Sequence, residues 1–281
     1  MFTTLIPTDE LASRLDAPDL VVVDVRHDLA QPDAWGEAQY RAGHVPGARF
    51  VHLDRDLSSP KTGTNGRHPL PSPEAAAALF GRLGIDATKQ VVAYDQQQGM
   101  YASRLWWMLR WLGHEAVAVL DGGFEKWRRE GRPATTDVPR VEPATFAVRR
   151  VAPTVDVSAI LDSLPARSLV VVDARSPERF RGETEPLDPV AGRIPGSINR
   201  PASQNLAPDF TFKPAAALRA DFERLLAGTP PDRVVHSCGS GVTACHNLLA
   251  MTIAGFGETK LYPGSWSEWC ADPARPIAKG A

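Results

Sequence analysis

LVVVDVR at residues 20–26 returns as LVVVDAR at 169–175, an offset of 149 residues. AGHVPGA at 42–48 returns as AGRIPGS at 191–197 with the same offset. QVVAYDQQQGMYAS at 90–103 returns one residue shorter as RVVHSCGSGVTAC at 233–245, and DGGFEKW at 121–127 as PGSWSEW at 263–269. Four matches in one order mean duplication. Each half of the 281-residue chain must therefore suit the same fold. Solenoid units repeat every ~20–50 residues, so a period near half the chain means two similar domains instead.

Each copy has the same grammar. VVVD is short, β-branched and apolar, as a strand covered on both faces would be. A Pro-Gly turn follows, then a helical stretch. In the first copy this is SPEAAAALFGRLGI at 72–85, with Ser72 placed to cap it and Pro73 at its first position. A second apolar strand, VVAYD or VVHSC, runs into a Gly-containing loop and another helix. This alternation predicts an α/β fold of two tandem domains, each a mainly parallel sheet flanked by helices. The stretch 131–153 is rich in Pro and Arg and has no helical periodicity. It reads as the connection, giving domains at 1–135 and 153–281 joined by a linker at 136–152.

Cys238 stands where the second strand of the second copy ends, followed by Gly239, Ser240 and Gly241. Open α/β sheets carry their sites beyond the carboxyl ends of strands. A helix beginning near Val242–Thr243 would present first-turn N–H groups with no partners inside the helix and partial positive charge. Two glycines leave those groups unobstructed. The arrangement reads as an anion nest around one sulfur, favouring a thiolate nucleophile. A buried cysteine is otherwise an ordinary small core residue, and Cys245 and Cys270 are read that way. Three cysteines at these spacings form neither a disulfide framework nor a zinc pattern, and a reducing cytoplasm is the expected setting. The first copy has Asp95 at the position of Cys238. An aspartate cannot serve as a thiolate nucleophile, so one active site per chain is expected.

These residues together resemble the tandem-domain rhodanese-family sulfurtransferases, over almost the whole chain. CGSGVTA is more similar to the loop of the branch that uses 3-mercaptopyruvate than to that of thiosulfate-using members, which place basic residues after the cysteine. The resemblance implies a persulfide on Cys238, formed from a small sulfane-sulfur donor. Cyanide, a small thiol or a protein such as thioredoxin would then take the sulfur, with no metal or organic cofactor. It also implies a Ser-His-Asp arrangement of Ser240, His68 and Asp54, with Asp56 as the fallback for a slipped alignment. Arg179 would bind the donor carboxylate through the two parallel hydrogen bonds that a guanidinium allows. Gly239, Gly241, Val242 and Thr243 would shape the loop. Members carry a second arginine soon after the first. This chain has TEPLDPVAG there, with Asp188, and Arg193 is the candidate replacement.

Other classes fit less well. Cysteine phosphatases need an arginine six residues after the nucleophile, where this chain has Ala244. Cys238, Ser240 and both glycines together argue against a non-catalytic rhodanese-like binding module, while a sulfur-carrier role stays compatible with them. A net charge of −2 gives no reason to expect nucleic acid as a partner. No run reaches the ~18 apolar residues of a membrane span, and MFTTLIPTDELASRL lacks the basic start of a signal peptide. Arg26 and Arg175, each following VVVD, are expected to pair with acidic residues. Trp106, Trp107 and Trp111 are expected in the core.

Overall fold

The computed structural model describes residues 1–96 and 98–280. By packing, the chain divides into two compact units. Unit 1 is Met1–Ser59, Pro71–Ala152 and Pro208–Thr211, and unit 2 is Pro60–Leu70, Pro153–Ala207 and Phe212–Ala281. The segment 60–70 belongs to the first sequence copy, yet it packs with the second.

Unit 1 contains β1 (Leu5–Ile6), α1 (Thr8–Ala12), β2 (Leu20–Asp24), α2 (Trp35–Ala42) and β3 (Arg49–Phe50). It continues with α3 (Pro73–Arg82), β4 (Gln90–Tyr94), α4 (Ala102–Trp111), β5 (Val117–Leu120) and α5 (Gly123–Arg129). The strands form one sheet in the order β1-β5-β4-β2-β3, every pair parallel. Unit 2 contains α6 (Val157–Ser163), β6 (Val170–Asp173), α7 (Pro177–Arg181), β7 (Ile198–Asn199) and α8 (Ala215–Leu226). β8 (Val234–Ser237), α9 (Ala244–Ile253), β9 (Lys260–Leu261) and α10 (Ser265–Trp269) complete it. Its sheet runs β7-β6-β8-β9, again parallel. No described helix is long and apolar enough to cross a membrane.

The repeated VVVD runs are β2 and β6, and only their first residues escape full burial. Apolar side chains on both faces suit a parallel strand sandwiched between helices. Asp24 pairs in register with Tyr94, and Asp173 with Ser237. The chain therefore leaves the two central strands of each sheet side by side, at the point where successive connections go to opposite sides. That crevice is where α/β sheets bind ligands.

Arg26 and Arg175 brace this end of each sheet. Arg26 grips Asp24 with Nε and Nη2 at 2.7–3.1 Å, and Arg175 grips Asp173 at 2.7–3.2 Å. Each Nη2 also donates to a backbone carbonyl, Gly43 or Gly192. Removing one partner of a buried pair of this kind costs about 3–5 kcal/mol, because the other charge stays buried alone. α3 starts as its sequence indicates, with Ser72 Oγ accepting from Ala75 N–H at 3.2 Å and Pro73 at the first position. α4 is buried at every position but Arg110, including Trp106, Trp107 and Trp111. Residues 136–152 form neither helix nor strand and pack with unit 1. Phe146 packs edge-on against Phe80, and Ala144 N–H donates to Gly81 O.

Candidate active site

Cys238 is the first residue beyond β8 and is 3% exposed. Its loop is stitched to the start of α10 by backbone and hydroxyl bonds. Cys238 N–H donates to Ser265 Oγ (3.1 Å), Cys238 O accepts from Trp266 N–H (3.0 Å), and Gly239 O accepts from Ser267 N–H (2.8 Å). Ser240 N–H donates to Cys238 Sγ at 3.4 Å. Gly241 takes φ +76°, and an added Cβ there would lie 2.2 Å from Pro263 O. The turn therefore needs glycine both for its conformation and for its space. α9 begins at Ala244. Val242 is buried, and Thr243 makes no side-chain cap bond to the helix.

The first copy repeats the stitching with a different occupant. Phe124 and Glu125 N–H groups donate to Asp95 O and Gln96 O at 2.9 and 2.8 Å. The Asp95 carboxylate accepts from the N–H groups of Gly99, Tyr101 and Ala102 at 2.8–3.2 Å. A built-in anion thus fills the loop that holds a thiol in unit 2. This is the physical content of losing the cysteine while keeping the fold.

Within unit 2 the structure brings Cys238, Ser240, His68 and Arg179 together. Ser240 Oγ and His68 Nδ1 are 2.7 Å apart and both residues are buried. His68 arrives on the 60–70 segment, anchored by Arg67 N–H donating to Ser267 Oγ at 2.9 Å. Asp54 lies in unit 1 with its carboxylate 3.8 Å from His27 Nε2. Asp56 accepts the backbone N–H of His52 at 2.8 Å.

Arg179 reaches Gly239. A Cβ added at Gly239 would sit 3.4 Å from Arg179 Nη2 and 2.9 Å from Arg67 Nη2. Two guanidiniums therefore lie over the residue after the nucleophile. Arg193 is not one of them, which corrects the sequence expectation. Its guanidinium donates to Gly280 O at 2.5 Å and stacks on Phe180, because backbone carbonyls there satisfy it. Arg67 was missed. The signal that could have found it is its place beside His68, since a segment that delivers one side chain to the loop delivers its neighbour nearby.

Buried carboxylates hold both arginines. Arg179 donates to Glu185 from Nη2 at 2.6 Å and from Nε at 3.1 Å, and to Asp188 from Nη2 at 3.4 Å. Arg67 Nη1 donates to the other oxygen of Asp188. Burial pushes the Asp188 carboxyl above its ordinary range; Arg67 and Arg179 oppose the shift and Glu185 adds to it. Burial also works against the Glu185 carboxylate, but its bonds to Arg179 outweigh this and leave it below the ordinary range. Burial opposes the Arg175 charge too, yet Asp173, Glu185 and Cys238 together hold that guanidinium above its usual value. The remaining thiols are buried: burial raises Cys270, and Cys245 Sγ donates to Gly241 O at 3.4 Å. The assembled groups are a loop thiol, a hydroxyl–imidazole pair for proton movement and a pair of cations.

The rhodanese-like domain family matches this chain twice, over residues 7–130 and 156–272. A Pseudomonas aeruginosa protein named as a probable 3-mercaptopyruvate sulfurtransferase is 44% identical, with 98% of each chain covered. A Bos taurus thiosulfate sulfurtransferase is 38% identical over 100% of this chain and 97% of its own. Among solved structures, SseA from Escherichia coli is described with the rhodanese fold and catalytic mechanism of 3-mercaptopyruvate sulfotransferases. It superposes with a TM-score of 0.78 at 33% identity, covering 95% of this chain and 100% of its own.

Proposed function

The chain belongs to the rhodanese-like family, and on that premise we propose that it moves a sulfane sulfur from 3-mercaptopyruvate to a thiol or cyanide through a persulfide on Cys238. The observation that carries this reading is the buried thiol at the end of β8, with the 2.7 Å Ser240–His68 bond two residues further on. The Cys238 thiolate attacks the donor sulfur. The carbon–sulfur bond breaks, its electron pair passes to the pyruvate enolate, and a proton completes pyruvate. Ser240, inside the loop and paired with His68, is the proposed proton-bearing group, and Asp54 is the third member that the family resemblance proposes. Ser240 N–H stabilises sulfur anion at Cys238, and Arg179 takes the donor carboxylate. The acceptor then attacks the outer sulfur and releases the thiolate.

Thiosulfate is the second reading, favoured by the two guanidiniums over Gly239. Charge balance argues against it. Arg67 and Arg179 face Glu185 and Asp188, so the network has no net positive charge to desolvate a dianion. A donor with one carboxylate needs one bidentate partner. The expected result is a kcat/KM for 3-mercaptopyruvate at least ~10-fold above that for thiosulfate, equivalent to one charge-assisted contact of about 1.4 kcal/mol. Equal values under matched acceptor and salt would transfer the assignment to thiosulfate. Intact mass after exposure to 3-mercaptopyruvate should rise by ~32 Da, one sulfur atom. A chain that gains no mass with either donor is a binding module.

A further inference from the structure

Three observations converge on Asp188. Its two oxygens are divided between two arginines from distant parts of the sequence, Oδ1 to Arg67 and Oδ2 to Arg179. Both arginines turn a guanidinium toward Gly239, beside the nucleophile. The exposure is also asymmetric. The Asp188 and Glu185 side chains are 4% and 2% exposed, whereas those of Arg67 and Arg179 are 21% and 16%. An anion arriving from solvent therefore meets the cations first, with the carboxylates behind them. Arg67 Nε is in addition a buried donor with no hydrogen-bond partner among the described residues.

We propose that Asp188 is the resident anion of a two-arginine seat made by Arg67 and Arg179, and that it determines donor specificity by competing with the incoming anion for their N–H groups. This rests on the sulfurtransferase reading above. Of the bonds in the network, the one from Arg179 Nη2 to Asp188 is long, at 3.4 Å, whereas Arg179 Nη2 to Glu185 is 2.6 Å. The long bond is the one a donor carboxylate takes over. Arg67 keeps Asp188 in place while Arg179 turns to the donor. The seat admits a single carboxylate through this exchange and disfavours a dianion, which would crowd two charges against Asp188. Arg67 thus positions Asp188, and Asp188 is a specificity residue that acts through both arginines.

Asp188→Asn keeps the shape and removes the charge. The KM for 3-mercaptopyruvate should fall several-fold, that for thiosulfate should fall further, and kcat for 3-mercaptopyruvate should stay within about two-fold. Pyruvate, an unreactive monocarboxylate, should inhibit the variant at several-fold lower concentration than the wild type. Arg67→Gln should do the reverse, weakening pyruvate by at least five-fold and thiosulfate most. Unchanged or weaker pyruvate binding in Asp188→Asn overturns the proposal. If that variant does not fold, Arg67→Gln decides, and unchanged pyruvate binding there overturns it equally. Pyruvate binding, followed by calorimetry, reads the seat without turnover. Wild-type protein that binds pyruvate but gains no sulfur would defeat the sulfurtransferase reading and leave the seat standing.

Discussion

Cys238→Ser should reduce sulfur transfer on the order of 10⁴-fold or more, as removal of a covalent nucleophile does. Serine fits the cavity and can still accept the Ser240 N–H, so the loop stays folded. Its hydroxyl cannot form the sulfur–sulfur bond on which both half-reactions depend. The mass gain of ~32 Da should vanish with the activity. Cys245→Ser is the matched control. Cys245 Sγ donates to Gly241 O at 3.4 Å, a bond that a serine hydroxyl can also make. Cys270 sits in the cluster of Tyr262, Trp266 and Trp269, where a new hydroxyl costs about 1–3 kcal/mol if unpaired but touches nothing that reacts. Both variants should keep most activity. A folded Cys245→Ser protein without activity would remove Cys238 from its place as sole essential thiol.

The parts of the fold that were legible in the sequence are those set by local pattern. VVVD reads as a strand buried on both faces, and Ser72-Pro73 as the start of a helix. The arginine after each VVVD had to find a carboxylate, and found the aspartate of the same motif. Duplication made Asp95 a readable counterpart of Cys238, though not the way its carboxylate occupies three N–H groups. The segment 60–70 was not legible. SPKTGTNGRHPL has no period to say which sheet it lies against, and the groups that hold it include serine hydroxyls of the other copy, Ser267 and Ser240. Arg67 was hidden for that reason. Arg193 was misassigned because the carbonyls that hold it belong to the backbone, which residue types do not reveal. The nest was legible as a loop around one sulfur, but the bond from Ser240 N–H to Sγ depends on a turn at Gly241 packed against Pro263.

That turn geometry leads to the other large effect. Gly241→Ala should lower kcat/KM by ~100-fold or more, the scale of a reacting group displaced by about 1 Å. Two costs combine. At φ +76° an alanine is strained by roughly 1–2 kcal/mol, and its Cβ would lie 2.2 Å from Pro263 O and 2.9 Å from Pro263 C. Those are backbone atoms and cannot swing aside as a side chain would. Pro263 leads directly into Ser265, Trp266 and Ser267, whose hydroxyl and N–H groups hold Cys238 and Gly239. If Pro263 moves, these three bonds stretch; if the loop moves, Ser240 leaves both Cys238 Sγ and His68. Either response misplaces the nucleophile relative to its proton partner. Gly196→Ala separates the two costs. Gly196 has the same φ of +76°, with nothing within 4 Å of an added Cβ. It should therefore lose roughly the same 1–2 kcal/mol of stability and keep its turnover. Thermal unfolding and kcat/KM measured on both variants test the argument. A Gly241→Ala enzyme as active as Gly196→Ala would mean that contact with Pro263 does not hold the catalytic loop in shape.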